Sequence, residues 1–152
     1  MINFDHLDST KFEEFVYDLL REMWFFNINR RKGTWYNASP ADQGRDIECM
    51  WAWNKPGWGS IESLWYIECK HYKKWIPAEK IQNATAYALS KRPDALVIVC
   101  SNFLSNSAKE YIDRFIENNR PYTRIYFWEN KDLENHLSQF HSLLLKYNLS
   151  IS

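Results

Sequence analysis

Apolar residues recur along this chain with two different spacings, one that suits helices and one that suits strands. Phe12, Phe15, Val16, Leu19, Leu20 and Met23 stand at i, i+3, i+4, i+7, i+8 and i+11, which predicts an amphipathic helix from Thr10 onward. Thr10 and Glu13 have capping-box spacing, in which a hydroxyl and a carboxylate each satisfy one orphan amide. Residues 25–31 read as a strand, and a basic cluster of Arg30, Arg31 and Lys32 leaves it. The Asn, Ser, Pro, Asp and Gly content of residues 37–45 reads as a loop.

Residues 46–53 and 63–70 are strand-like runs, and residues 54–60 between them hold Pro56, Gly57 and Gly59, so the pair reads as an antiparallel hairpin. Pro77 at a first helical position opens a helix through Leu89. Residues 95–100 are continuously apolar, as in a central strand covered on both faces. A helix over 105–118, a strand over 124–128 and a last helix over 132–145 complete the chain. The order predicts an α/β fold, α+β mixed in character: a sheet antiparallel in its first half, wound with helices in its second, and flanked by them.

The 152 residues suit one domain over 1–152, and 45% hydrophobic residues with eight Trp can fill a sizeable core. Lys plus Arg equals Asp plus Glu at 19 each, so a nucleic-acid surface must be local rather than global. Cys49, Cys69 and Cys100 lie far apart in apolar runs, without zinc spacing or the even count of a disulfide framework. Asp5, Asp8, Glu13 and Glu14 stand where a signal peptide would need a basic start and an apolar run, and nothing approaches a membrane span. The expectation is a cytoplasmic protein with no membrane partner.

Alternation places Asp46 and Glu48 on one face of their strand, and Glu68 and Lys70 on one face of theirs. Pairing symmetric about Gly57 sets Asp46 opposite Glu68. Two opposed carboxylates with a nearby lysine suit phosphodiester hydrolysis, because a hard cation such as Mg2+, with Mn2+ as a substitute, takes oxygen ligands and polarises water and phosphate. The same residues would also suit an exposed strand face carrying a cross-strand ion pair. Glu48 is expected to face solvent, and His71 to point away from the site in a structural role. His136 and His141, five apart, lack ligand spacing.

In context these residues resemble the Mrr-like branch of the PD-(D/E)xK restriction-endonuclease superfamily. The resemblance runs through Phe12 and Glu13, through Asp42, Gly44, Arg45, Asp46 and Ile47, and through Glu68, Cys69 and Lys70, covering about residues 9–135. It implies a restriction-endonuclease-like αβββαβ core and a metal-dependent DNA endonuclease of restriction or anti-phage defence. On that resemblance Asp46, Glu68 and Lys70 are catalytic, and Asp46 and Glu68 bind metal with the backbone carbonyl of Cys69. Glu13 matches a first-helix glutamate that supports the metal in relatives, against its capping role here. Arg45 stands where the superfamily's naming proline would be.

Residues 65–92 hold six basic side chains against two acidic ones, and the local excess points to phosphate contacts. Arg30, Arg31, Lys32, Arg45, Lys73, Lys74 and Lys80 form the expected nucleic-acid set. Trp51, Trp53, Trp58, Trp65 and Trp75 could stack on bases or serve the core. The expected partners are DNA and a second copy or a larger defence assembly. The alternative is an idle nucleic-acid-binding or protein-interaction module with the same fold.

Overall fold

A computed structural model of the chain describes residues 1–30 and 45–152. Arg31 and Lys32, with Asp42 and Gly44 of the motif segment, lie outside the described residues. The elements are α1 (Ser9–Glu22), β1 (Phe26–Arg30), β2 (Ile47–Lys55), β3 (Gly59–Lys70), α2 (Gln82–Lys91), β4 (Ala95–Cys100), α3 (Asn106–Asn119), β5 (Arg124–Trp128), α4 (Asn130–Leu137) and α5 (His141–Lys146).

The five strands form one sheet in the order β1-β2-β3-β4-β5, antiparallel from β1 to β3 and parallel from β3 to β5. The β2–β3 register runs from Ile47 opposite Ile67 to Lys55 opposite Gly59, as symmetry about Gly57 requires. The turn depends on its glycines, since Gly57 and Gly59 have φ of 81° and 75°, where a side chain would be strained. Every residue of β4 is buried, as its apolar run implies for a strand between β3 and β5.

Two cores flank the sheet. On one face α1 packs Phe12, Phe15, Leu19 and Leu20 against Ile47, Ile67, Val97 and Val99, with α4 and α5 closing the same layer. On the other, Ala84 and Ala88 of α2 and Ala108 and Ile112 of α3 meet Leu96, Ile98 and Cys100. Small residues on α2 let that helix lie close to the sheet. Both α2 and α3 end on an arginine in the left-handed region, Arg92 and Arg120, each followed by a proline that cannot extend the helix.

Three expectations change. The cap of α1 is Asp8, whose side chain accepts from the Lys11 amide, and not Thr10, so Glu13 is released from any capping box. Pro77 precedes a single 3-10 turn, Ala78–Lys80, and α2 begins only at Gln82. The last helix is two: α4 starts at Asn130 under a capping box between Glu129 and Asp132, and the chain breaks between Leu137 and His141. That break turns Leu143, Tyr147 and Leu149 into the core around α1, which a straight helix would not do for all three.

Candidate active site

The site forms where β2 begins and β3 ends, because the hairpin register brings those two ends together. Asp46 immediately precedes β2, and its amide donates to the Ile67 carbonyl at 2.8 Å. Its Oδ2 accepts from the Cys69 amide at 2.6 Å, which fixes the carboxylate across the end of the strand pair. Two positions on, Lys70 Nζ lies 2.6 Å from Glu68 Oε1. Glu68 is 4% exposed, and its other oxygen, Oε2, is buried without a hydrogen-bond partner. The face that could have been an open, solvated strand is therefore enclosed.

A cavity of about 250 Å³ opens here, lined by Glu13, Asp46, Cys69, Lys70, His71 and Tyr72 together with Ser9 and Phe12. Glu68 stands behind it, outside the lining. Glu13 reaches the cavity from α1, and Arg30 of β1 holds it through Nε to Oε1 at 3.0 Å. Arg30 also donates to the Thr10 carbonyl at 3.3 Å, so this arginine joins β1 to the start of α1.

Burial dominates the electrostatics. It raises Glu68 to about 7, with the Asp46 carboxylate adding repulsion and Lys70 opposing both. Asp46 is also raised by burial, against the Cys69 amide and the Lys70 and Arg30 charges. Glu13 rises for the same first reason, offset by Arg30 and reinforced by Asp46. Burial works to lower Lys70, but Glu68 and Asp46 outweigh it, and the ammonium is held above its ordinary value. Burial and the surrounding carboxylates keep the Cys69 thiol protonated, so its sulfur is no thiolate ligand.

The donor set fits a hard divalent cation. It consists of oxygens, one of them a buried orphan on Glu68, and the Asp46 Oδ1 that the Cys69 amide leaves unengaged. Among the described residues no group of three or more His, Cys, Asp or Glu side chains is placed to hold a metal ion. An open set of two carboxylates leaves positions for water and phosphate, as Mg2+ requires.

The other expected groups disperse. Arg45 is turned into the protein: its guanidinium lies 4.5 Å from the Tyr66 ring centre and 5.0 Å from that of Tyr87, donates to the Tyr87 hydroxyl, and pairs with Glu48 at 3.1 Å. With a side chain only 12% exposed, it clamps the entry to β2 against α2. Glu48, expected in solvent, is its partner. Lys73, Lys74 and Lys80 are exposed, but none of them lines the cavity. His71 donates to or accepts from no catalytic group; its Nε2 lies 2.7 Å from the Leu7 carbonyl and its ring stacks on Phe12. Trp51, Trp53 and Trp65 line a separate hollow of about 920 Å³ at the far end of the same sheet face. Sequence reading missed the Arg30–Glu13 pair and the Tyr66–Arg45–Tyr87 clamp, since no spacing signals contacts between residues 17 and 42 positions apart.

Residues 4–137 match the protein family described as restriction endonuclease, of the Mrr catalytic type. Among solved structures the fold is similar to the DNA modification-dependent restriction endonuclease AspBHI, at TM-score 0.60 and 14% identity, over 91% of this chain and 34% of that one. It is also similar to the MspJI restriction endonuclease in complex with a 27-mer oligonucleotide, at TM-score 0.54 and 14% identity, over 90% of this chain and 31% of that one. The chain thus spans about a third of each, and at such identity the likeness is one of fold. Among curated proteins none matches.

Proposed function

Because the chain belongs to the restriction endonuclease family that its residues 4–137 match, we propose that it hydrolyses DNA phosphodiester bonds with a divalent metal, Mg2+ for preference and Mn2+ as a substitute, in restriction or anti-phage defence. The observation that carries this reading is the enclosed Glu68–Lys70 pair beside Asp46, with a buried carboxylate oxygen left free for a cation. An idle module would have no need to bury an ion pair with one carboxylate oxygen left unsatisfied.

Asp46 and Glu68 would hold the metal, with the backbone carbonyl of Cys69, and Glu13 would support it from α1. Bound there, the cation supplies Lewis acidity to the phosphate and a more acidic water. The Cys69 amide keeps Asp46 oriented. Lys70, charged at neutral pH, offsets negative charge developing on the phosphoryl oxygens. Glu68 Oε1 holds that ammonium in place, so one carboxylate positions Lys70 and would have its second oxygen free for the metal. In the reaction a water oxygen bonds to phosphorus, one phosphorus–oxygen ester bond breaks, and the leaving oxygen takes a proton. Outside the site, Lys73, Lys74 and Lys80 would contact phosphate. Target choice would fall to a second copy or a larger defence assembly, which light scattering of the purified chain with and without DNA tests.

Cleavage of supercoiled plasmid with Mg2+, and its loss with chelator, tests the reading. Asp46→Ala and Lys70→Ala are each expected to lower the rate at least about a hundredfold with an unchanged circular dichroism spectrum. Wild-type protein that is folded, binds metal and cleaves neither plasmid nor single-stranded DNA would sink it.

A further inference from the structure

Residues 71–76 leave the site along a path tied repeatedly to residues 101–105. The Lys70 carbonyl accepts from the Ser101 amide at 3.0 Å, the Ser101 hydroxyl bridges the Tyr72 amide and carbonyl at 3.1 and 3.3 Å, and Asn102 Nδ2 donates to the Lys73 carbonyl at 3.0 Å. Ile76 then exchanges backbone bonds with Phe103 and Ser105, both at 2.9 Å. So tied, the strap buries Ile76 and packs His71 on Phe12, while its other side chains face outward. It presents Tyr72 at 37%, Trp75 at 56% and, from the neighbouring loop, Phe103 at 45% exposure.

Three partly exposed aromatic rings on a fixed backbone leave apolar area that a partner's contact would favourably cover. Between Tyr72 and Trp75 stand Lys73 and Lys74, both exposed and neither paired with a carboxylate among the described residues. Tyr72 is also a wall of the catalytic cavity, and on its other side it lines a small hollow with Lys73, where Asp5 is the one acidic side chain. Rings alternating with free ammonium groups complement a strand whose bases are unstacked and whose phosphates are exposed. A duplex keeps its base faces covered and offers such rings nothing to stack on.

We propose that the strap of residues 71–76, with Phe103, is a platform for single-stranded DNA: bases stack on Tyr72 and Trp75, phosphates lie on Lys73 and Lys74, and the scissile phosphate is delivered past Tyr72 to Lys70. The substrate of the site is then DNA with an unpaired segment, such as a flap, bubble or strand end. This deepens the nuclease reading and rests on it for the cleavage step, but the platform itself is testable without catalysis.

Binding is measured in chelator, on an Asp46→Asn background that cannot cut, with a fluorescent oligothymidylate and with a duplex of equal length at the same salt. The expected result is at least tenfold tighter binding of the single strand, accompanied by quenching of tryptophan fluorescence. Trp75→Ala and Tyr72→Ala should each weaken the single strand about tenfold, while Trp75→Phe, which keeps a stacking face, should restore most of the affinity. Lys73→Ala with Lys74→Ala should flatten the dependence of affinity on salt. Equal affinity for duplex and single strand, or wild-type affinity in Trp75→Ala with an unchanged melting curve, overturns the platform. Intact oligothymidylate binding in a protein that cleaves no DNA under any metal would keep the platform and remove the nuclease.

Discussion

Glu68 is a buried carboxylate raised by its surroundings, and its position makes a testable statement about stability. A carboxyl raised from 4.5 to about 7 in the folded, metal-free protein binds its proton more tightly there than in the unfolded chain. Stability therefore declines as pH climbs between those values, and the penalty is fully present above about 7. Glu68→Gln, which cannot ionise, should escape it: in chelator its melting temperature should gain on wild type between pH 5 and pH 8, by the equivalent of up to about 3 kcal/mol. A constant difference across that range would mean that Glu68 is not buried as described. Glu13 gives a second test at this scale. Glutamine can still accept from Arg30 but is a poor ligand for a hard cation, so Glu13→Gln should melt normally and cut about tenfold more slowly. Wild-type rates would confine Glu13 to its pairing with Arg30.

At the scale of elements, the start of α1 shows how a local signal can be right in kind and wrong in place. Both Asp8 and Thr10 are residue types that cap helices, and capping-box spacing favours Thr10, which has Glu13 three positions on where Asp8 has Lys11. The structure puts the cap on Asp8, with the Lys11 amide at 2.7 Å. Asp8→Ala should accordingly cost about 1 kcal/mol of stability and Thr10→Ala almost nothing, as read from denaturant midpoints. The reverse order would restore the Thr10 cap and with it a structural role for Glu13. The split between α4 and α5 has the same origin, since an apolar period of 3.6 continues through residues 137–141 whether or not the backbone bends there.

For the whole molecule, the proposed cation would be coupled to the fold. The site gathers Asp46, Glu68 and Glu13 against Lys70 and Arg30, so acidic groups repel one another until a cation joins them. Mg2+ should raise the melting temperature of wild type, by about 2.7 kcal/mol in stability at a hundred times its dissociation constant, and should do far less for Asp46→Asn. Equal stabilisation of both would place the cation elsewhere. Much of this architecture was legible in the chain alone. The helix period over residues 12–23, the turn at Gly57 and the continuous apolar run of residues 95–100 are local properties, and they dictated α1, the register of β2 on β3 and a fully covered β4. That register placed Asp46 at the end of β3 before any coordinate was known, because a hairpin with a period of two permits few alternatives. The rest depends on neighbours remote in sequence. No spacing announces that Tyr66 and Tyr87 close over Arg45, and the exposed-strand alternative for Glu68 falls only because the sheet and its helices take its water away. Spacing records which way a side chain points, whereas burial, and every charge it perturbs, is set by what else arrives on that side.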